Sequence, residues 1–172
     1  MKMTSAYASK LVKKLTEDKE FWTTKERNSC TYNAALDEEP VIPEYDYAKV
    51  AATIAEIDEQ IVRIKHAINV TNATTAIPVG DKTMTVDEIL IRMAQLNRRK
   101  YFLDDLRKND PKERVNFGSY GRNKPVPEYR YINYDLALVK EEYKRVDAEI
   151  AAMQIALDRH NQTFEFEVDY EA

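Results

Sequence analysis

With 172 residues, 44% of them apolar, the chain is long enough to bury a core and short enough to be one domain. Only 3 glycines and 6 prolines exclude a sandwich, a barrel or a disordered tail. A net charge of −4 selects no nucleic-acid or membrane partner by itself, and the single cysteine, Cys30, excludes an intrachain disulfide.

Thr4 or Ser5 can cap a first helix over residues 4–27 by accepting from free amides of its first turn. Tyr7, Leu11, Leu15 and Trp22 lie near one face, and Lys10, Lys13, Lys14 and Lys19 crowd the other. Glu17, Asp18 and Glu20 interrupt that basic surface, which fits a solvated face better than a membrane-bound one. Residues 28–46 are acidic and broken by Pro40 and Pro43, so they form a connection, with Asp46 placed to cap the next helix.

The second helix, residues 47–72, carries a heptad stripe of Tyr47, Val50, Ile54, Ile57, Ile61, Ile64 and Ile68. Such a stripe must be buried against other helices. It ends in a run of asparagine and threonine, residues that compete with helical backbone bonds and favour helix ends. Amides and hydroxyls there, Asn69 and Asn72 foremost, make residues 69–75 one candidate site for a small ligand. Gly80-Asp81 then suggests a tight turn between two short extended pieces.

Thr85 and Glu88 form a capping box at the start of a third helix, residues 86–108. Ile89, Met93, Leu96 and Leu103 line one stripe, and Leu90, Tyr101, Phe102 and Leu106 broaden it. A surface that wide suits a helix with two neighbours rather than one.

Residues 112–133 differ in kind, because Gly118, Gly121, Pro125 and Pro127 forbid a long helix and leave two short strands of a loose hairpin. Between positions 107 and 130 seven basic residues oppose three acids, and Phe117, Tyr120, Tyr129 and Tyr131 lie among Arg114, Arg122 and Arg130. Aromatic rings can stack on bases while cations meet phosphates, so segment 107–134 is the candidate for nucleic-acid recognition. The competing reading is a tyrosine-rich hairpin that covers the end of a bundle or packs on a second subunit.

A fourth helix over residues 134–161 repeats the three-four spacing through Leu136, Val139, Tyr143, Val146, Ile150, Met153, Leu157 and His160. Its stripe is expected to pack against that of the second helix, with His160 capping the helix end. At about 1.5 Å per residue such helices are about 40 Å long, so the molecule is expected to be elongated. The tail, residues 164–170, alternates Phe, Glu, Phe, Glu, Val, Asp, Tyr in strand periodicity. It either pairs with the 112–133 hairpin, where Arg114 and Arg130 would meet its acids, or forms an edge for another subunit.

The stretch IVRIKHAINVTNATTAI, joined by a short turn to TMTVDEILIRMAQLNRRKYFLDDL, resembles septicolysin-like proteins. These are small bacterial helical proteins with no established function. Ile68-Asn69-Val70-Thr71-Asn72 is the most specific part of the likeness, which covers most of the chain. It implies a long-helix fold and an oligomer, and it carries over no catalytic residue.

The expected fold is thus mainly α. It is an elongated antiparallel four-helix bundle in a single domain, residues 1–172, with a small β-rich lobe from 112–133 and 164–170. Nothing approaches the roughly 20 apolar residues of a membrane span, and the N-terminal residues hold no signal-peptide core, so a cytoplasmic protein is expected. Cys30, His66 and His160 lie without metal-ligand spacing, and no nucleophile elbow or phosphate-cradling glycine loop is present. No catalytic residue, metal or cofactor is expected. The leading expectation for function is a non-enzymatic, self-associating structural or protein-interaction protein forming a homo-oligomer.

Overall fold

The computed structural model of the chain describes residues 1–115 and 126–170. In chain order the elements are β1 (Lys2–Thr4), α1 (Ser5–Ser29), α2 (Tyr47–Thr74), β2 (Ala76–Val79), β3 (Lys82–Thr85), α3 (Val86–Lys108), β4 (Lys112–Arg114), β5 (Tyr129–Tyr131), α4 (Leu136–Thr163) and β6 (Glu165–Glu167). The protein is mainly helical, with three two-stranded sheets among the described residues. Residues 1–77 together with 157–172 form one compact unit, and residues 78–156 form a second.

Local chemistry explains where the helices begin. The Thr4 hydroxyl accepts from the Tyr7 amide, and an Asp46 carboxylate oxygen accepts from the Lys49 amide. At α3 the Thr85 hydroxyl accepts from the Glu88 amide while the Glu88 carboxylate accepts from the Thr85 amide at 2.7 Å. Asp135 Oδ1 accepts from the amides of Ala137 and Leu138 at the start of α4. Gly80, at φ +61°, makes the turn between β2 and β3 in the left-handed region that glycine enters without steric cost.

In the first unit, α1 and α2 run antiparallel. Tyr45 Oη donates to Glu26, and Lys19 Nζ reaches Asp58 at 2.6 Å. The stripe of α2 is buried at Val50, Ile57 and Ile64. Ile57 and Ile64 belong to a cluster with Ala8 and Leu15 of α1, Met3 of β1, and Phe166 and Val168 of the tail. The tail therefore finds its partner within the chain, at neither of the places expected for it. β6 pairs antiparallel with β1, setting Met3 opposite Phe166 and Lys2 opposite Glu167. The ladder continues with Val168 N–H donating to Met1 O at 2.9 Å. Alternation puts Phe166 and Val168 into the core and leaves Glu165, Glu167 and Asp169 exposed. Met3 and Phe166 are both buried, so this pairing adds an apolar contact to the core.

His160, near the end of α4, was expected as a cap and is instead packed. Its ring is buried and stacks on Phe164, centroids 4.7 Å apart. Its Nε2 has no hydrogen-bond partner, and the helix end is closed by the Phe164 amide donating to the His160 carbonyl.

In the second unit, α3 and α4 also run antiparallel. Arg92 pairs with Glu149, Lys100 with Asp147, and the Arg107 guanidinium lies 3.9 Å from the ring centre of Tyr143. Tyr134 Oη donates to the Leu106 carbonyl at 2.6 Å and accepts from Asn109 Nδ2, tying the end of α3 to the approach to α4. Ile89, Leu96, Leu103, Val146 and Met153 are buried.

Candidate functional site

The hairpin of β4 and β5 sorts the basic-aromatic segment by strand alternation. Lys112 lies opposite Tyr131, Glu113 opposite Arg130, and Arg114 opposite Tyr129. Lys112, Arg114, Tyr129 and Tyr131 therefore share one face, and all four are exposed. The Lys112 ammonium sits 4.2 Å from the ring centre of Tyr129 and 5.5 Å from that of Tyr131. The two rings are 6.5 Å apart and inclined at 52°. Arg130 is on the opposite face, 3.8 Å from Glu113, so it does not join the tyrosines. Phe117, Tyr120 and Arg122, named with them from the sequence, lie outside the described residues. Lys112 was missed. Its signal was its place two residues before Arg114 on the same strand.

The second candidate surface is on α3. Residues 11 apart on a helix are about three turns apart and return to the same side. Leu90 and Tyr101 are one such pair, and Ile91 and Phe102 are another. Their exposures are 46% and 74%, then 53% and 52%, so the outer side of α3 presents four large apolar side chains to solvent. The buried residues Ile89, Leu96 and Leu103 occupy the other side. From the sequence Leu90, Tyr101 and Phe102 were expected to broaden the buried stripe and meet a second neighbour; instead they lie on the side away from Ile89, Leu96 and Leu103 and are exposed among the described residues.

The Asn69–Thr75 segment is less convergent than the sequence suggested. Asn69 is exposed, Asn72 half-buried and Thr71 buried, and the Thr71 carbonyl accepts from the Thr75 amide to close α2.

A cavity of about 650 Å³ lies in the second unit, bounded by the β2–β3 turn, α3 and α4. Its polar wall includes Arg92, whose Nε donates to Glu149 Oε1 at 3.1 Å, with Nη2 3.0 Å from the same oxygen in an ion pair. Glu149 Oε2 accepts from Arg145 Nη1 at 3.2 Å. Arg145 also grips Glu142, and its guanidinium holds that carboxyl below its ordinary range. Lys108 and Arg107 do the same to Asp104. These are structural ion pairs on helix surfaces, and nothing in them forms a nucleophile with its base. Among the described residues no group of three or more His, Cys, Asp or Glu side chains could hold a metal ion, and no helix is long and apolar enough to cross a membrane.

No family model matches the chain, and no curated protein matches it. The fold is similar to the crystal structure of a conserved protein of unknown function from Corynebacterium diphtheriae, with a TM-score of 0.64. The match covers 97% of this chain and 100% of the other at 14% identity. At that identity the likeness shows the fold alone.

Proposed function

We propose that the protein acts without catalysis, as a self-associating structural or protein-interaction protein whose copies meet along the outer side of α3. The observation that carries this reading is the exposure of Leu90, Ile91, Tyr101 and Phe102 on one helix side, with Ala94 and Arg98 between them. Two exposed apolar pairs on one helix side, three turns apart, are more than scattered surface residues, and such surfaces mark association sites. The elongated antiparallel four-helix bundle expected from the sequence belongs to the same proposal, and the antiparallel pairs α1–α2 and α3–α4 are consistent with it. The resemblance to septicolysin-like proteins supports the oligomer. A free, exposed Cys30 fits a reducing, cytoplasmic setting. Size-exclusion chromatography with light scattering is the test. We expect an oligomer at micromolar concentration that becomes monomeric in Leu90→Glu/Phe102→Glu. A clean monomer of the unaltered protein removes this reading.

The β4–β5 face favours a second reading, nucleic-acid binding. Two cations and two rings on one exposed face match what a single strand offers, phosphates with bases between them. Labelled single-stranded DNA or RNA is expected to shift at low salt, and the shift is lost in Lys112→Ala/Arg114→Ala and falls steeply as salt rises. Absence of any shift at low salt ends this reading.

A further inference from the structure

The connection between α1 and α2 is open along most of its length. Residues 31–42 are all exposed, and Leu36 and Val41 stand almost wholly in solvent, with Ile42 beside them. Pro40 and Pro43 keep this part out of a helix. Its ends are tied down, by the Cys30 amide on the Glu26 carbonyl and by Tyr45 Oη on the Glu26 carboxylate. A segment held at both ends loses less freedom on docking than a loose tail does. From Leu36 to Glu44 it carries four acids and no base. Asp37, Glu38, Glu39 and Glu44 are exposed and in no ion pair among the described residues.

The outer side of α3 has the opposite charge. Residues 89–103 contain four bases and no acid. Arg92 and Lys100 are paired with Glu149 and Asp147. Arg98 and Arg99 are exposed and in no ion pair among the described residues. Arg98 lies between the two apolar pairs; Arg99 stands 5.8 Å from the ring centre of Phe102 and also helps to hold the Glu142 carboxyl low. Asp87 and Asp105 share this side, three residues beyond the pairs at either end. A second α3 is therefore a poor cover. The antiparallel register that sets Leu90 against Phe102 and Ile91 against Tyr101 also sets Asp87 against Asp105, and a parallel pairing sets Arg98 against Arg98. Like charges opposed across a contact weaken it.

We infer that the cover is the 36–44 connection of a second copy. This rests on the self-association reading and names the element that the outer side of α3 receives. Both surfaces are exposed in the single chain, which leaves each open to another copy. The apolar pairs lie about 16 Å apart along the helix. The stretch from Leu36 to Ile42 spans up to about 20 Å when extended, enough to reach from one pair to the other. Opening the one turn bond there, Glu38 N–H to Ala35 O at 3.3 Å, supplies the extension. Leu36 then lies on one pair, Val41 and Ile42 on the other, and Glu38 and Glu39 between them meet Arg98 and Arg99.

Sedimentation velocity of the full chain at micromolar concentration is the test. Val41→Ser/Ile42→Ser is expected to raise the dissociation constant at least about tenfold, by loss of apolar contact at positions that are exposed in the single chain. Arg98→Glu/Arg99→Glu is expected to weaken association at least about tenfold, and adding Glu38→Arg/Glu39→Arg to the same chain is expected to restore it to within about threefold. A merely structural effect of the arginines gives no such recovery. If Val41→Ser/Ile42→Ser associates as the unaltered protein does while Leu90→Glu/Phe102→Glu is monomeric, the inference falls and the self-association reading stands. Absence of recovery in the fourfold variant also overturns the inference. A monomeric unaltered protein ends both.

Discussion

Ile64 exposes no surface at all and sits where α1, α2 and the tail meet. Ile64→Ala is expected to cost about 2–5 kcal/mol, from lost transfer energy plus the cavity left behind. Val62→Ala, two residues away on the exposed side of α2, is expected to cost under about 0.5 kcal/mol. Urea denaturation of both variants checks the contrast. His160 gives a pH dependence of known sign. Burial holds its pKa below the ordinary value of 6.5, so in the folded protein the ring stays neutral to lower pH than in the unfolded chain. Between those two values the unfolded chain binds more protons, and stability rises with pH. Stability is therefore full above about 6.5 and falls as pH drops below it. The carboxyls of Asp104 and Glu142, held below 3.8 and 4.5, act in a separate and more acidic window. His160→Phe keeps the stack on Phe164 and removes the titrating group. Its urea midpoint is expected to stay flat from about pH 7.5 to 5.5, where that of the unaltered protein declines. A parallel decline in both proteins refutes the assignment.

At the scale of elements, the capped starts of α1, α2 and α3 were the most legible feature of the sequence. Thr85 and Glu88 form the expected reciprocal cap, and α3 spans the residues it announced. Thr85→Ala is expected to cost about 1 kcal/mol, measured as a lower thermal midpoint. Gly80→Ala tests the turn before it. A Cβ at Gly80 meets nothing within 4 Å, so the cost is backbone strain alone, about 1 kcal/mol or slightly more. The stripes of α2 and α4 were legible at their centres, where Ile57, Ile64, Val146 and Met153 are buried as spacing requires, while Tyr47 at the start of the α2 stripe is exposed. What a stripe cannot state is its partner, because isoleucine and valine pack on any apolar surface of fitting shape. So the contact of Ile57 and Ile64 with Ala8, Leu15 and the tail was not foreseen. The partner of β6 was hidden for a different reason. β1 is three residues long, too short for alternation to show, and its register rests on the single apolar pair Met3 and Phe166. On the hairpin the basic count was legible and the faces were not. Arg130 and Arg114 are equal in composition and fall on opposite sides once the register is fixed.

For the molecule as a whole, self-association is a thermodynamic statement as well as a hydrodynamic one. If native copies bind each other and unfolded chains do not, the native state gains by mass action, and the melting temperature rises with protein concentration. For a dimer that unfolds to two separate chains, a hundredfold rise in concentration adds about 1.4 kcal/mol per chain, since half of each tenfold step falls to each copy. In a chain of 172 residues that corresponds to an increase of about 3–5 °C. Tyr101→Glu/Phe102→Glu separates association from folding, because both side chains are exposed on α3 and the core it covers is formed by Ile89, Leu96 and Leu103. The double variant is expected to melt at one temperature across the whole range. That temperature matches the dilute limit of the unaltered protein, which shows that the fold is intact and only the contact is gone. Scanning calorimetry over about 1–100 μM covers the range in which such a contact is populated. A melting temperature of the unaltered protein that does not move across it places the apolar side of α3 outside any contact between copies, and the self-association reading then fails.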